Sequence, residues 1–283
     1  MGKRRKMSRK KRVRIALLSF ALFVVGVLLF LQIGVIYTEK TWEHWSPDYN
    51  KIDILPILQK EERTEEDYEI LYKQTGLTKI GIDDLLEKED VNRILLVQQG
   101  FFEKHTVVTN HFNPFTYMEE IEEYMPLGSL QTGDIIVTST TRVSWLRYGH
   151  AALVVDGEKE LIAEAIGPGS ESEINRADCF SEFANFLVYR PKVDKELKEQ
   201  VAQYTLEKLL GIPYRFSVGI FYDKYTEKPL KGSQCAHLVW YAYKRFGVDL
   251  DSNGGWLIKP QDMALSEQVE LVQAFGFDLE KLW

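Results

Sequence analysis

The chain has 283 residues, of which 45% are hydrophobic and 27% charged, a composition typical of a folded globular protein and not of a disordered one. Its two cysteines are too few for a fold that depends on disulfides. The formal net charge of −7 is unevenly spread: residues 1–14 contain nine Lys or Arg and no acid, while the remainder carries 26 basic and 42 acidic residues, a net charge of −16.

Residues 15–37 contain no charged side chain over 23 positions. About 20 apolar residues match the ~30 Å hydrocarbon core of a bilayer, so the segment is predicted to be a transmembrane signal anchor rather than a buried soluble helix. A cleaved signal peptide is the main alternative, but its apolar region would be about 7–15 residues long and followed by small residues. The membrane is therefore an expected partner through residues 15–37.

The basic residues 1–14 are predicted to form a cytoplasmic tail, because positive charge beside a membrane span stays in the cytoplasm. The protein would then cross the cell membrane once, with everything after Tyr37 outside the cytoplasm. Such a basic run can also bind nucleic acid, but beside an apolar span we expect no nucleic-acid partner.

Residues 38–125 are predicted to form a mostly helical stalk or leading region. Thr64 and the acids after it are typical of a helix N-terminus, and that helix should end at Gly76. Further helical patterns follow, with Gly100 as an expected break. Residues 109–116 are predicted to be a loop, and residues 117–125 a short acidic helix.

Residues 126–283 are predicted to form an α+β domain of 158 residues, because strand patterns come first and helices follow. The dipeptide Asp156–Gly157 lies between two apolar runs, which is a strong hairpin signal. An amphipathic helix is expected over residues 194–211, and a second helix begins near Cys235 and ends at Gly247.

Cys235 is the first candidate functional residue. Ser233 is a suitable N-cap, which would place Cys235 near the positive end of a helix dipole, where a thiolate is stabilised. A buried structural cysteine is an equal alternative, since free cysteine is among the most buried residue types.

A cysteine nucleophile needs a base, and His150 is the best candidate among the five histidines. It begins an apolar strand pattern, whereas His237 lies two residues from Cys235 and would point about 200° away on the helix. Glu164 interrupts the partner strand, where an unpaired carboxylate is costly. Pairing across the hairpin would place His150 directly opposite Glu164; otherwise Glu164 faces solvent.

Several segments together resemble the permuted papain-like thiol hydrolases of the NlpC/P60 superfamily, and most closely the YiiX/YaeF/YycO-like amidases. They are "GDIIVT" (133–138), "YGHAALVV" (148–155), "IAEAIGPG" (162–169), "GIPYRF" (211–216) and "QCAHLVWYAYKRFGVDLD" (234–251). The resemblance covers residues 126–262 and implies a circularly permuted papain-like fold, because here the histidine precedes the cysteine.

The resemblance implies that Cys235 is the nucleophile, His150 the base, Glu164 the third polar residue and Tyr214 a neighbour of the oxyanion site. It departs at Ala236, where the family typically has serine. The implied function is a membrane-anchored cysteine hydrolase that cleaves an amide or ester outside the cytoplasm, in cell-wall peptides or in lipids, with no metal or organic cofactor.

Three alternatives stay open at this stage. The fold could be a catalytically inactive module that binds cell wall or lipid, or a lipid acyltransferase. A disulfide between Cys179 and Cys235 would disable the nucleophile. The sequence does not assign the scissile bond or the oligomeric state.

Overall fold

The computed structural model describes residues 8–41, 44–113, 116–143 and 145–283. The helices are α1 (Arg9–Thr41), α2 (Leu55–Leu58), α3 (Glu65–Thr75), α4 (Lys79–Glu87), α5 (Val91–Phe102), α6 (Lys195–Lys208), α7 (Cys235–Lys244) and α8 (Pro260–Ala264), with a 3₁₀ helix at Ala177–Glu182. The strands are β1 (Val107–Asn113), β2 (Thr116–Ile121), β3 (Ile135–Thr138), β4 (Thr141–Val143), β5 (Leu146–Arg147), β6 (His150–Asp156), β7 (Leu161–Glu164), β8 (Glu173–Arg176), β9 (Phe186–Pro191) and β10 (Val269–Phe275).

The chain divides into two compact units. One contains α1 together with the short segment at residues 143–146, and the other contains residues 44–142 and 147–283. Helix α1 carries mostly exposed apolar side chains, although Val35 is buried. Its segment Arg9–Thr38 is long and apolar enough to cross a membrane. At about 1.5 Å per residue, the 23 uncharged residues alone would span about 35 Å.

The second unit is built on a six-stranded antiparallel sheet with the strand order β10-β9-β3-β6-β7-β8. Helices α6 and α7 pack on β6, and the core between them consists of buried aliphatic and aromatic side chains. A second antiparallel sheet has the order β1-β2-β4-β5. The mixed α+β class predicted from sequence is therefore confirmed, while the permuted papain-like arrangement stays a prediction.

The helices that precede the sheet are held to its edge strand. Helix α3 begins with the expected capping box at Thr64 and ends at Gly76, which has a φ of +71°. The Gly76 carbonyl accepts from Ala274 N, and Thr78 N donates to Val272 O, so the α3–α4 connection continues the hydrogen bonding of β10. The α3–α4 connection thus packs directly on the sheet.

A buried ion cluster makes a second connection between these helices and the sheet. Arg190 on β9 donates two parallel hydrogen bonds to the Asp134 carboxylate, each 2.9 Å long, and a third of 2.6 Å to Asp84 on α4. Asp134 is completely buried, and such a carboxylate is tolerated because a bidentate arginine neutralises it.

Three expectations for the leading region are wrong. Residues 109–116 and 117–125 do not form a loop and an acidic helix, because β1 and β2 pair there as antiparallel strands. Glu119 explains the error: it is buried and bound by Arg142 and Arg147, so it does not belong to a solvated acidic face. Gly100 does not break a helix but lies inside α5, where a Cβ would come within 2.9 Å of Met125.

Candidate active site

A buried histidine–glutamate pair lies on two neighbouring strands of the large sheet. His150 is the first residue of β6 and Glu164 the last residue of β7. Their side chains are almost fully buried, and Nε2 of His150 lies 2.6 Å from Oε2 of Glu164. Because a carboxylate oxygen accepts, Nε2 carries a proton, and in the neutral form of the ring Nδ1 would be the acceptor.

The predicted strand register is wrong by two residues. Glu164 lies opposite Ala152, not opposite His150, and the register shifts between Val154 and Asp156 at a bulge near the turn. Side chains alternate with a period of two along a strand. An even error therefore keeps His150 on the face of Glu164, and the two side chains meet diagonally.

Two further residues fix this pair, and the sequence analysis did not identify either. Asn175 Nδ2 on β8 donates to Oε1 of Glu164 over 2.9 Å, so both carboxylate oxygens are bound. The Phe180 ring stacks on the His150 ring with 5.7 Å between centroids and a 16° interplanar angle. Asn175 lies opposite Ile162, two strand positions from Glu164, so the contact depends on the β7–β8 register and is not visible in the sequence.

Cys235 begins α7, but its helix cap differs from the prediction. The N-cap is Gln234, not Ser233: its Oε1 accepts from Ala236 N at 3.0 Å and from the Cys235 thiol at 3.3 Å. Ser233 binds His237 instead. As the first helical residue, Cys235 has a backbone N–H without a partner inside the helix, and its side chain is buried.

Cys235 interacts electrostatically with the His150–Glu164 pair. Burial lowers the pKa of His150, but hydrogen bonds to Cys235 and Glu164 outweigh it and raise the pKa to about 10. Burial works against ionisation of Glu164, yet the bonds from His150 and Asn175 hold its pKa below the ordinary value. The arrangement therefore favours a positively charged His150 beside the Glu164 carboxylate.

Two tyrosines lie close enough to Cys235 to interact with its charge. Burial raises the pKa of Tyr148 to about 12, and the charge of Cys235 adds to the rise. Burial and Cys235 likewise raise the pKa of Tyr214 above its ordinary value. Tyr214 is positioned by its bridge to Ser233, two residues before the cysteine. Both hydroxyls stay protonated at neutral pH and can donate a hydrogen bond.

His237 and Cys179 have other environments. His237 Nε2 binds the Lys224 carbonyl at 2.7 Å and Nδ1 binds Ser233, while burial lowers the pKa of this histidine to about 4; it has no contact that would make it the base for Cys235. Both cysteines are free thiols in this structure. Burial raises the pKa of Cys179, which lines the same cavity as His150.

A cavity of about 240 Å³ opens beside the pair. Its polar lining includes His150, Glu164 and Asn175 and also the carboxylates of Glu120 and Glu182, and the rest includes an apolar part. The apolar lining comes from Phe112, Met118, Ile166 and Phe183. The cavity leads to the imidazole and can therefore hold an apolar group beside it.

Within the described ranges, no three His, Cys, Asp or Glu residues are placed to hold a metal ion. Comparisons with models of protein families, with curated proteins and with solved structures find no match for this chain.

Proposed function

We propose that the protein is a membrane-anchored thiol hydrolase that cleaves an amide or ester bond through Cys235, His150 and Glu164. The observation that carries the proposal is the buried 2.6 Å contact between His150 Nε2 and Glu164 Oε2, with Cys235 at the N-terminus of α7 and in electrostatic interaction with the imidazole. A cysteine, a base and a group that orients the base are the parts that nucleophilic catalysis requires.

The chemistry follows from the positions of the protons. His150 Nδ1 takes the proton of the Cys235 thiol, and the sulfur adds to the substrate carbonyl carbon. The tetrahedral intermediate collapses when the imidazolium returns the proton to the leaving amine or alcohol, which leaves a thioester on Cys235. Water then attacks the thioester with His150 as base, and the acid and the free thiol are released. Glu164 holds the ring and stabilises its positive charge throughout.

The developing oxyanion needs hydrogen-bond donors. The backbone N–H of Cys235 has no helical partner, and the Tyr214 hydroxyl is the side-chain donor in our proposal. Removing one such donor typically lowers kcat about 10²- to 10³-fold. We expect Tyr214→Phe to have this effect on turnover of an activated ester, with an unchanged rate of alkylation of the sulfur by iodoacetamide, a reaction that forms no oxyanion; an unchanged kcat would exclude Tyr214 from the oxyanion site.

The test of the proposal is the ionisation of Cys235. The ultraviolet absorbance of the thiolate is followed against pH in the full chain in detergent, with Cys179→Ala to remove the second thiol. We expect the inflection to lie below the ~8.5 of a free cysteine and to rise in His150→Ala. His111→Ala is the matched control, because His111 lies exposed on β1. An ordinary inflection, unchanged by His150→Ala, would instead support the inactive binding module.

Two substrate classes are considered for the proposed hydrolase. Cell-wall peptides are the substrates suggested by the resemblance and by an extracytoplasmic location. The cavity beside His150 supports a second candidate, an acyl group of a lipid, because part of its wall is apolar and it opens on the imidazole. Turnover of short and long acyl esters separates the two: a marked preference for the longer chain supports the lipid, and equal turnover supports the peptide.

We propose that residues 15–37 anchor the protein in the cell membrane with residues 1–14 in the cytoplasm. The 23 uncharged residues and the preceding nine basic residues support this orientation. In intact cells, externally added protease should remove residues 44–283 and leave the N-terminal tail protected. Protection of both ends would contradict the orientation.

A further inference from the structure

A cluster of exposed apolar side chains lies on two loops that touch each other. Phe221 and Trp256 are 81% and 79% exposed, and Phe216, Ile220 and Tyr222 are each about half exposed. The loops meet at Gly219, where a Cβ would lie 1.8 Å from the Trp256 carbonyl oxygen. We call Phe216–Tyr222 with Trp256 the aromatic patch. Isolated exposed apolar residues are ordinary, but a contiguous group marks an interaction surface.

A positively charged groove of about 200 Å³ adjoins the aromatic patch. Three basic residues, Arg215, Lys228 and Lys231, and one acidic residue, Asp223, line it together with Tyr222. The Arg215 guanidinium lies 4.2 Å from the centre of the Tyr222 ring. In the part of the chain that the structure describes, no ion pair involves Lys228 or Lys231 within 4.0 Å. Residues 215–232 carry four basic and two acidic side chains, in contrast to the net charge of −16 beyond residue 14.

The patch also borders the candidate active site. Phe216 and Tyr148 make an edge-to-face contact with 6.2 Å between ring centroids. Both line a pocket of about 90 Å³ that is shared with Gln234, the residue whose Oε1 accepts from the Cys235 thiol. A surface bound by the patch would therefore lie beside the N-terminus of α7.

We propose that the aromatic patch and its basic groove dock on a bilayer surface that contains anionic phospholipid. Exposed Trp and Phe side chains partition to the boundary between headgroups and acyl chains, and each lysine near an anionic membrane contributes about 1 kcal/mol of attraction. The charge pattern argues for this occupant: an acidic protein is repelled by such a surface everywhere except where its basic residues gather. This contact is separate from α1 and does not depend on catalysis.

The experiment uses the full chain in nanodiscs that contain 30% phosphatidylglycerol in phosphatidylcholine, or phosphatidylcholine alone. A lipid with a photoreactive group in the upper acyl chain is activated, and the modified peptides are identified by mass spectrometry. We expect adducts within residues 216–222 and 253–257, with a higher yield in the anionic discs. Peptides from α1 provide the positive control for labelling.

Two variants make the test specific. Phe221→Ser with Trp256→Ser should abolish the loop adducts, and Lys228→Gln with Lys231→Gln should weaken docking about fivefold for each lysine in anionic discs and leave the neutral discs unchanged. The matched control is Leu206→Ser with Lys208→Gln on α6, an exposed apolar residue and an exposed lysine outside the patch; it should change neither yield. All variants alter exposed side chains, and circular dichroism verifies the fold.

The proposal fails if loop adducts are no more frequent than adducts around Leu206. It also fails if the yield of loop adducts does not depend on the phosphatidylglycerol content. Cross-links between two chains through the same loops, without lipid adducts, would show that a second copy covers the patch and would also overturn the proposal. Neither result bears on the Cys235 titration, so docking and catalysis are tested independently.

Discussion

Replacing Glu164 by glutamine is the sharpest perturbation of the buried pair. The substitution preserves shape and removes the negative charge that lies 2.6 Å from His150 Nε2. The glutamine oxygen can still accept from His150, and Asn175 can turn its amide to match the new side chain. The change therefore isolates the charge of Glu164 from its packing.

The magnitude follows from the negative charge that this hydrogen bond loses. A hydrogen bond to a charged group contributes about 1.5–3 kcal/mol, and about 1.4 kcal/mol corresponds to a tenfold change in an acid equilibrium. We expect the pKa of His150 to fall from about 10 to about 8–9. The remaining elevation comes from Cys235, and Cys235→Ser in the same background should lower it further.

The sign of the pH effect is fixed by linkage. The pKa of His150 is about 10 in the folded chain and about 6.5 when unfolded, so protonation stabilises the fold fully below about pH 6.5 and loses this effect as pH rises towards 10. Glu164 is ionised throughout that window. Glu164→Gln should therefore reduce the free energy of unfolding more at about pH 6 than at about pH 10.

The assay is a titration of the full chain labelled with ¹³C-histidine in detergent micelles, with the His150 signal assigned through His150→Asn, together with urea unfolding at both pH values. Glu173→Gln is the matched control, because Glu173 lies opposite Glu164 in the β7–β8 register but is exposed. A His150 pKa that does not change in Glu164→Gln, or that falls equally in Glu173→Gln, would refute the argument that Glu164 charges the imidazole.

Three further substitutions test the surroundings of the site by chemical denaturation. Asn175→Ala should cost about 1–3 kcal/mol, because Oε1 of Glu164 loses its buried donor, and an unchanged stability would show that water replaces the amide. Gln234→Ala should cost about 0.5–2 kcal/mol through loss of the helix cap, and no loss would mean that the cap of α7 is redundant. Arg190→Met should cost about 3–5 kcal/mol, and Asp134→Asn should recover part of it; no recovery would contradict a charge-based cause.

Local signals in the sequence predicted much of the fold. The capping box at Thr64 and the left-handed Gly76 act within one helical turn, so their effect is visible in a few consecutive letters. Gly100 was misjudged because its role is tertiary: it lets α5 approach Met125 closely. Likewise, the acidic residues around Glu119 were interpreted as a helix. The arginines that bind the Glu119 side chain lie more than 20 residues later in the sequence, so the local pattern could not show that it is buried.

In the candidate site, too, features set by neighbouring residues were predicted from the sequence, and features set by distant residues were not. The alternation of side chains along a strand predicted that His150 and Glu164 lie on one face of the sheet. The prediction is correct although the predicted register is wrong by two residues. The register shifts at a bulge next to the turn. The dipeptide Asp156–Gly157 indicates a turn but does not define its geometry. Gln234 replaced Ser233 as the cap because its longer side chain reaches both Ala236 N and the Ile258 carbonyl.

Buried ion pairs among the described residues can be compared by what each connects. Arg190 joins β9 to α4, which no strand ladder connects, whereas Arg142 joins β4 to β2, which are neighbours in one sheet. The His150–Glu164 pair joins β6 to β7, which already share a ladder of backbone hydrogen bonds. Burying a titratable pair is costly and often no more stabilising than apolar packing. A structural explanation is therefore weaker for this pair than for the Arg190 cluster, and the proton transfer that we propose at Cys235 gives a reason for its presence that packing does not.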